Sequence, residues 1–306
     1  MIIWLASYPR SGNTFIRTVL NHAFGVKTYS IYGDKFDIAA DKLTSEIVGH
    51  KELPQQFDFD EARQSKEIFF IKTHELYNKD YENDKVIYII RDGREATVSY
   101  FHYLINFSND RFSFLEIING HTFTGSWGEH YLNWCREQNG SILIFYFEKC
   151  TDNPGNSIER ISEFTGLIPI SYEVPEFEKM HSVNPAFFRS GKKDSFKREL
   201  SDYEQKYFWL VNGRAMRESG YIDKMPEFVS QEELNELFFT HIDLSNRKVQ
   251  MALEKKIEGM SRQLQQKDQQ LQQKDQQLQG VYKSYSYRLG HFILWPLKKI
   301  IRIFKK

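Results

Sequence analysis

The chain has 306 residues, which is enough for one large α/β domain with appended segments. Its 41 Lys and Arg residues balance its 41 Asp and Glu residues, so no overall basic field favours nonspecific binding to nucleic acid. Its two cysteines, Cys135 and Cys150, lack the short paired spacing of a zinc site or a disulfide framework. The composition therefore argues against a nucleic-acid binder, and it predicts that any anion-binding site is local.

Residues 1–12 contain a short apolar stretch with no basic segment before it. The stretch is too short for a membrane span and lacks the basic beginning of a signal peptide. We therefore expect the main globular part of the chain to stay in the cytoplasm, where cysteines remain reduced.

Four apolar runs have the length of buried strands, and each is followed by a turn signal or a helical pattern. The runs cover residues 2–6, 68–72, 86–91 and 142–147, and helical patterns occur at 14–24, 94–105, 127–137 and 154–165. Such alternation is typical of a parallel sheet with crossover helices. The sequence therefore predicts an α/β fold, with a central parallel sheet flanked by helices, in a main domain over residues 1–228.

Residues 229–281 have the pattern of a helical spacer. Apolar residues recur every seven positions, at Ile257, Leu264, Leu271 and Leu278, partly within two consecutive copies of QLQQKDQ. This spacing predicts a coiled coil through which copies of the chain form a homo-oligomer. Because Lys267 and Lys274 take alternate core positions, the pairing is expected to be weak. A solvated helical spacer is the alternative.

The last segment, residues 282–306, is basic and contains no acidic residue. Its cations are Lys283, Arg288, Lys298, Lys299, Arg302, Lys305 and Lys306. After Pro296, which can open a helix, one helical face carries Leu297, Ile300, Ile301 and Phe304. This basic amphipathic tail predicts peripheral binding to the anionic inner face of a membrane. Docking of the same stripe onto the protein's own surface is the alternative.

The first predicted strand leads into a loop with the sequence Ser7-Tyr8-Pro9-Arg10-Ser11-Gly12-Asn13-Thr14-Phe15, and a helical pattern follows. A helix N-terminus directs backbone N–H groups and the positive end of its dipole outward, which suits a phosphate. Polar side chains in the loop add further donors. The loop is not a nucleoside-triphosphatase P-loop, because the first glycine and the lysine after Gly12 are missing.

Residues 8–15 resemble the Y-P-K-S-G-T-T-W loop of sulfotransferases that use 3′-phosphoadenosine 5′-phosphosulfate (PAPS). The resemblance covers residues 1–225 and implies the P-loop-NTPase-like sulfotransferase fold. It assigns the 5′-phosphosulfate to Arg10, Ser11, Gly12, Asn13 and Thr14, and it places Phe15 near the adenine. Arg10 replaces the usual lysine, and its planar guanidinium donates hydrogen bonds with a different geometry.

A second similarity follows the third predicted strand. The sequence RDGREATVSY, which begins at Arg91, is similar to the family element R-N-P-x-D-x-x-V-S-Y. In the family, the arginine and the serine eight residues later bind the 3′-phosphate, which implies this role for Arg91 and Ser99. A guanidinium at a strand end can hold a phosphate through two hydrogen bonds.

Two later elements match the family in part. Residues 188–197 resemble the loop F-R-K-G-x-x-G-D-W-K, which closes over the 3′-phosphate. This similarity implies nucleotide contacts from Arg189, Ser190 and Gly191. Phe147 stands where a tyrosine commonly lies near the adenine, so it can stack on the base but cannot donate a hydrogen bond.

Lys72, Thr73 and His74 end the second predicted strand and match the K-T-H segment of the family. Side chains two residues apart on an extended chain point the same way, so Lys72 and His74 can serve one site. A neutral imidazole accepts a proton near neutral pH, which makes His74 the candidate general base. Lys72 and Arg10 are the candidates for stabilising negative charge on the transferred group.

Together these elements predict a PAPS-dependent sulfotransferase that needs no metal ion and acts on an acceptor hydroxyl. The predicted coiled coil and basic tail favour an acceptor at a membrane, such as a glycan or a glycolipid. The aromatic residues between positions 101 and 127 suit a sugar, a lipid or a phenol equally. A P-loop-type nucleotide kinase and a non-catalytic membrane-associated scaffold are the alternative functions.

Overall fold

The computed structural model describes residues 1–35, 37–108, 110–137, 141–185, 187–188, 194–222 and 230–303, with main chain alone at 137 and 296–303. The strands are β1 (Ile2–Ser7), β2 (Tyr29–Ser30), β3 (Phe69–Thr73), β4 (Lys85–Ile90) and β5 (Ile142–Tyr146). The helices are α1 (Asn13–Phe24), α2 (Lys42–Val48), α3 (Phe59–Gln64), α4 (Gly93–Phe107), α5 (Phe114–Ile118), α6 (Trp127–Glu137), α7 (Phe147–Asp152), α8 (Pro154–Thr165), α9 (Phe177–Val183), α10 (Phe196–Glu199), α11 (Asp202–Glu218), α12 (Gln231–Lys283) and α13 (Tyr285–Ile303).

The five strands form one parallel sheet in the order β2-β3-β1-β4-β5. The predicted central parallel sheet is therefore confirmed. β1 lies in the middle, with Ala6 opposite Thr73 of β3 and Ser7 opposite Ile89 of β4. The chain fills one side of β1 with β2 and β3 and then crosses to the other side with β4 and β5. Sheets of this kind bind ligands at the carboxyl ends of the strands, where the strand order reverses.

Both faces of the sheet are apolar, as expected for a parallel sheet covered by helices on each side. In β1, Trp4 belongs to the core on one face and Leu5 to the core on the other. Trp134 of α6 joins the first core, and Leu20 of α1 joins the second. Helices on both faces therefore hold the ends of the strands in place.

The sequence patterns located the long elements more accurately than the short ones. The predicted helices at 127–137 and 154–165 coincide with α6 and α8, and α1 and α4 extend their predicted ranges by one or two residues at an end. β2 has only two residues, which is too short for any apolar alternation to reveal it.

α12 has 53 residues and covers most of the predicted helical spacer at 229–281. The chain divides into a compact unit, Met1–Ser245, and a second unit, Asn246–Lys306. The first turns of α12 belong to the compact unit, because Leu237 and Leu244 are buried in its core. Farther along α12, the apolar residues at the heptad positions are exposed. The division into domains at residue 228 and the coiled-coil pairing stay predictions.

α13 begins at Tyr285, so Pro296 lies inside this helix and does not open it. A proline removes one main-chain hydrogen bond, and it can kink a helix without ending it. The tail side chains at 296–306, which include the predicted apolar stripe, lie outside the described residues. No helix in the described part of the chain is long and apolar enough to cross a membrane.

Replacing Leu237 by alanine should lower the free energy of unfolding by about 2–5 kcal/mol, because its fully buried side chain would leave a cavity. Phe239 is 72% exposed, so Phe239→Ala should change the free energy of unfolding by less than about 0.5 kcal/mol. Urea denaturation of the full chain, followed by tryptophan fluorescence, compares the two variants. Equal effects would mean that the start of α12 is not part of the compact unit.

Candidate active site

The carboxyl ends of β1, β3 and β4 carry the three principal predicted motifs side by side. β1 leads into the loop before α1, β3 ends just before His74, and β4 ends just before Arg91. A cavity of about 590 Å³ is lined by Arg10, Gly12, Asn13, Thr14, Phe15, Lys72, His74, Arg91, Ser99 and Phe147. Ser11 is buried in the loop. The remaining predicted nucleotide contacts, Arg189, Ser190 and Gly191, lie outside the described residues.

The loop between β1 and α1 depends on a glycine. Gly12 caps α1 with a φ of +102°, a conformation that residues with side chains rarely adopt. A Cβ atom on Gly12 would lie only 2.3 Å from Cδ2 of Phe147, so the glycine also allows this ring to approach the loop. The loop thereby presents the N-terminus of α1 at the wall of the cavity, in an arrangement that suits an anion.

The polar side chains of the loop have different surroundings. Ser11 Oγ is buried and has no hydrogen-bond partner within the described ranges, and Ser11 itself does not line the cavity. Asn13 Nδ2 donates to Leu5 O at 2.8 Å and to Ser7 Oγ at 3.2 Å. The amide of Asn13 therefore holds the loop against the end of β1.

Arg10 lies next to Ser99, although 89 positions separate the two residues in the sequence. Arg10 Nε donates to Ser99 Oγ at 3.2 Å, and Arg10 Nη2 donates to Phe187 O at 2.6 Å. The guanidinium also stacks on the Phe187 ring, 4.8 Å from its centroid. The structure thus brings the cation of the first motif to the serine of the second motif.

Arg91 lies between the loop and an aromatic pair. Its Nη1 donates to Arg10 O at 3.3 Å, and its guanidinium lies 5.1 Å from the centroid of the Phe147 ring. Phe147 meets Phe15 edge to face, with the ring centroids 6.3 Å apart. A cationic group beside two aromatic rings provides surfaces for both a phosphate and a flat heterocyclic base.

Glu95, on the first turns of α4, connects Arg91 to a later part of the chain. Its Oε2 lies 3.6 Å from Arg91 Nη2 and accepts a hydrogen bond from Ser195 Oγ at 2.6 Å. Its Oε1 accepts one from Phe196 N at 3.3 Å. This buried carboxylate therefore sets the position of Arg91 and of the last residues of the predicted late loop.

His74 is oriented by contacts on both sides of its ring. Its Nδ1 lies 2.7 Å from Ser7 O, and a carbonyl oxygen can only accept, so Nδ1 carries the proton and Nε2 is the unprotonated nitrogen. The ring stacks on Tyr32, with the centroids 5.9 Å apart. Burial, followed by the charge of Lys72, lowers the pKa of His74 well below 6.5. His74 is therefore neutral at pH 7, with its Nε2 unprotonated.

Lys72 contacts an acid that the sequence patterns did not indicate. Its Nζ lies 3.0 Å from Asp34 Oδ1, and Asp34 lines the same cavity. Tyr32, which supports His74, comes from the same turn after β2. Neither residue lies in a recognisable motif, and 38 positions separate Asp34 from Lys72. The positive φ of Asp34 shows only in the folded chain.

The aromatic residues between positions 101 and 127 do not share one role. Tyr103, Phe107 and Phe123 line the cavity. Trp127 is instead buried in the core, where its ring lies 6.3 Å from that of Phe208. Aromatic composition alone therefore does not separate the wall of the cavity from the core.

These features define an α/β protein with an anion-binding loop and a neutral histidine at the switch point of a parallel sheet. Residues 2–238 match the family model described as a sulfotransferase domain, which is more than half of the chain. The chain therefore belongs to the sulfotransferase family. The predicted membership in this family of enzymes is confirmed.

Several known proteins are similar to the chain. Flavonol 3-sulfotransferase from Flaveria bidentis is 26% identical over 247 residues, which cover 65% of this chain and 77% of that protein. Sulfotransferase 1B1 from Canis lupus familiaris is 25% identical, and the match covers 53% of this chain but only 58% of that protein. Mouse sulfotransferase SULT7A1 complexed with PAP has 19% identity and a TM-score of 0.49, and the match covers 72% of this chain and 86% of that chain.

The imidazole of His74 should stay neutral well below pH 6.5, with its proton on Nδ1. Long-range ¹H–¹⁵N NMR of histidine-labelled protein reports both the tautomer and the titration, and His74→Gln identifies the signal. In Lys72→Met, the pKa of His74 should rise, because the ammonium that disfavours protonation is gone. A proton on Nε2, or the same titration in both proteins, would contradict this assignment.

Proposed function

We propose that the chain transfers a sulfuryl group from PAPS to an acceptor hydroxyl. The observation that carries this proposal is the single cavity that joins the anion-binding loop and Arg91 to Lys72 and His74. A cationic end and a neutral imidazole in one cavity suit a reaction between an anionic donor and a hydroxyl. Family membership supports the same class of reaction.

The residues along the cavity fit the parts of PAPS. The buried Ser11 hydroxyl and the N-terminus of α1 suit the 5′-phosphosulfate. Arg91 and Ser99 would hold the 3′-phosphate, and Phe15 and Phe147 would flank the adenine. The late-loop contacts from Arg189, Ser190 and Gly191 complete the proposed donor site.

In the proposed reaction, the acceptor oxygen attacks the sulfur in line with the bond that leaves. The new oxygen–sulfur bond forms while the bond between sulfur and the bridging phosphate oxygen breaks, and its electron pair stays on that phosphate. His74 Nε2 takes the proton of the acceptor hydroxyl. Lys72 and Arg10 stabilise the negative charge that develops on the sulfuryl group and the leaving phosphate. No step in this scheme calls for a metal ion.

Transfer of ³⁵S from labelled PAPS to extracted cell-envelope fractions should occur with the unmodified protein and persist in EDTA. His74→Ala should lower the turnover by about 10²–10⁴-fold, the usual effect of losing a general base. PAP is the 3′-phosphoadenosine 5′-phosphate that PAPS leaves behind after transfer. Its binding, measured by calorimetry, should be nearly unchanged in this variant, because the proposed contacts to the nucleotide come from other residues.

The same assay separates the alternatives. A kinase would use ATP with Mg²⁺ and leave PAPS untouched, and a non-catalytic scaffold would bind neither nucleotide. Full turnover by His74→Ala would remove this residue from the mechanism, whereas loss of PAP binding in this variant would mean that the histidine holds the donor.

We propose that the acceptor is a glycan or a lipid-linked saccharide. Aromatic side chains such as Tyr32 and Phe123 line the cavity on the His74 side, and Tyr32 meets Phe123 with the ring centroids 5.8 Å apart. The carboxylate of Asp37 lines the same cavity. Aromatic faces together with a carboxylate acceptor suit a polyhydroxylated molecule better than a purely apolar one.

The C-terminal segments support a proposal about how copies of the chain assemble and where they work. Residues 229–281 would act as a helical spacer that pairs with a second copy through exposed heptad positions such as Leu264 and Leu271. Residues 282–306 would bind the anionic inner face of a membrane, with Phe292 and Trp295 exposed on α13. The catalytic domain, residues 1–228, would then work in the cytoplasm next to a membrane-borne acceptor.

The full chain should co-sediment with anionic liposomes at low salt, and binding should fall as salt rises. Each basic residue near such a surface contributes about 1 kcal/mol, so replacing Lys298, Lys299, Arg302, Lys305 and Lys306 by glutamine should weaken binding by at least 100-fold. Truncation after Gly280 should abolish binding and leave PAP affinity intact, because every proposed donor contact precedes residue 200. Equal sedimentation of the full and truncated chains would refute the membrane role.

A further inference from the structure

Three charged side chains form a buried group beside the cavity, here called the Asp34 cluster: Arg17, Asp34 and Lys72. Arg17 Nη1 lies 2.8 Å from Asp34 Oδ2, and Lys72 Nζ lies 3.0 Å from Asp34 Oδ1. The side chains of Arg17, Asp34 and Lys72 are 0%, 2% and 8% exposed. A buried ion is costly without a partner, so the three charges depend on one another.

Asp34 is fixed by its turn as well as by its ion pairs. Its φ is +48°, which is uncommon for a residue other than glycine. Its main-chain carbonyl accepts a hydrogen bond from Ala39 N at 2.8 Å, and Ser30 Oγ donates to its Oδ1 at 2.7 Å. The carboxylate that meets Lys72 is therefore held by contacts that do not involve Lys72.

The Asp34 cluster carries one net positive charge. Arg17 Nη2 lies 2.8 Å from His50 Nδ1, which must be the unprotonated acceptor. Burial, followed by the charge of Arg17, lowers the pKa of His50, so this imidazole is neutral at pH 7. Asp37, the other carboxylate of the same turn, accepts a hydrogen bond from Tyr103 at 2.9 Å. Lys72, which lines the cavity, therefore presents a cation that an anionic group can meet.

We propose that Asp34 is a positioning residue, which fixes the ammonium of Lys72 near His74 before the substrates bind. This proposal rests on the sulfuryl transfer proposed above. A lysine side chain is long and flexible, so without a partner its ammonium would sample many positions. A cation that is already in place costs no reorganisation when negative charge develops in the reaction. Asp34 acts through Lys72 in this scheme and touches neither reacting group.

A double-mutant cycle tests this role, with transfer from PAPS and PAP binding measured for each protein. Asp34→Asn keeps the shape of the side chain but removes its charge, and it should lower kcat by about 10–100-fold with the KM for PAPS changed less than about threefold. In a Lys72→Met background, Asp34→Asn should cause almost no further loss, because its effect passes through the missing ammonium. Asp34→Glu should restore part of kcat.

Asp84→Asn is the matched control. Asp84 is also a buried carboxylate paired with an arginine, since Arg63 Nε lies 3.1 Å from its Oδ2, but it does not line the cavity. Its replacement should lower the melting temperature and leave the kcat of the folded protein unchanged.

Ser30→Ala is a milder variant, which removes the 2.7 Å hydrogen bond to Asp34 without changing any charge. If Asp34→Asn fails to fold, the same cycle is run with Ser30→Ala, whose smaller loss of kcat should also vanish in Lys72→Met.

The outcomes separate this proposal from the proposed function. If the unmodified protein transfers nothing from PAPS, the proposed function fails, and the role of Asp34 in it falls as well. If the unmodified protein is active but the loss caused by Asp34→Asn or Ser30→Ala is equally large in the Lys72→Met background, only the positioning role is overturned. An unchanged kcat in Asp34→Asn overturns it too. A loss of kcat that requires Lys72, with PAP affinity preserved, supports it.

Discussion

The carboxyl end of β1 is the constraint on which the rest of the site depends. Ser7 is the last residue of β1, and its carbonyl accepts a hydrogen bond from the imidazole of His74, which follows β3. Arg10 lies three residues later, and its carbonyl accepts a hydrogen bond from Arg91, which follows β4. The side chains that follow β3 and β4 are therefore both positioned by one short stretch of main chain at the end of β1. This is possible only because β1 lies between β3 and β4 in the sheet.

The second requirement is electrostatic, because the cavity gathers cations that repel one another and are costly to bury. Each of the three central cations is given a partner. Lys72 meets Asp34, Arg91 meets Glu95, and Arg10 donates to a hydroxyl and a carbonyl and stacks on an aromatic ring.

The motifs can be recognised in the sequence because their information is local. Strand length, the spacing of Lys72 and His74, and the loop before α1 can each be recognised from a few neighbouring residues. The supporting contacts are not local. Asp34 meets Lys72 across 38 positions, and Glu95 meets Ser195 across 100. Asn13 was predicted, from its side-chain chemistry, to donate hydrogen bonds to a phosphate. In the fold, its amide instead donates to the carbonyl of Leu5 and holds the loop. The position of that carbonyl is known only from the folded chain.

The long helix α12 follows a different balance of forces from the catalytic unit. Isolated helices gain little stability from propensity alone, and an i,i+4 pair such as Glu258 with Arg262 adds only a few tenths of a kcal/mol. Burial of exposed leucines against a second copy would add more. Lys267 and Lys274, at alternate core positions, would oppose that pairing by like-charge repulsion. If copies of the chain pair as proposed, these two opposing effects would make the association respond to concentration and salt. Since the described site residues all lie in Met1–Ser245, a weak association of this kind would leave the chemistry of each catalytic unit independent of its partner.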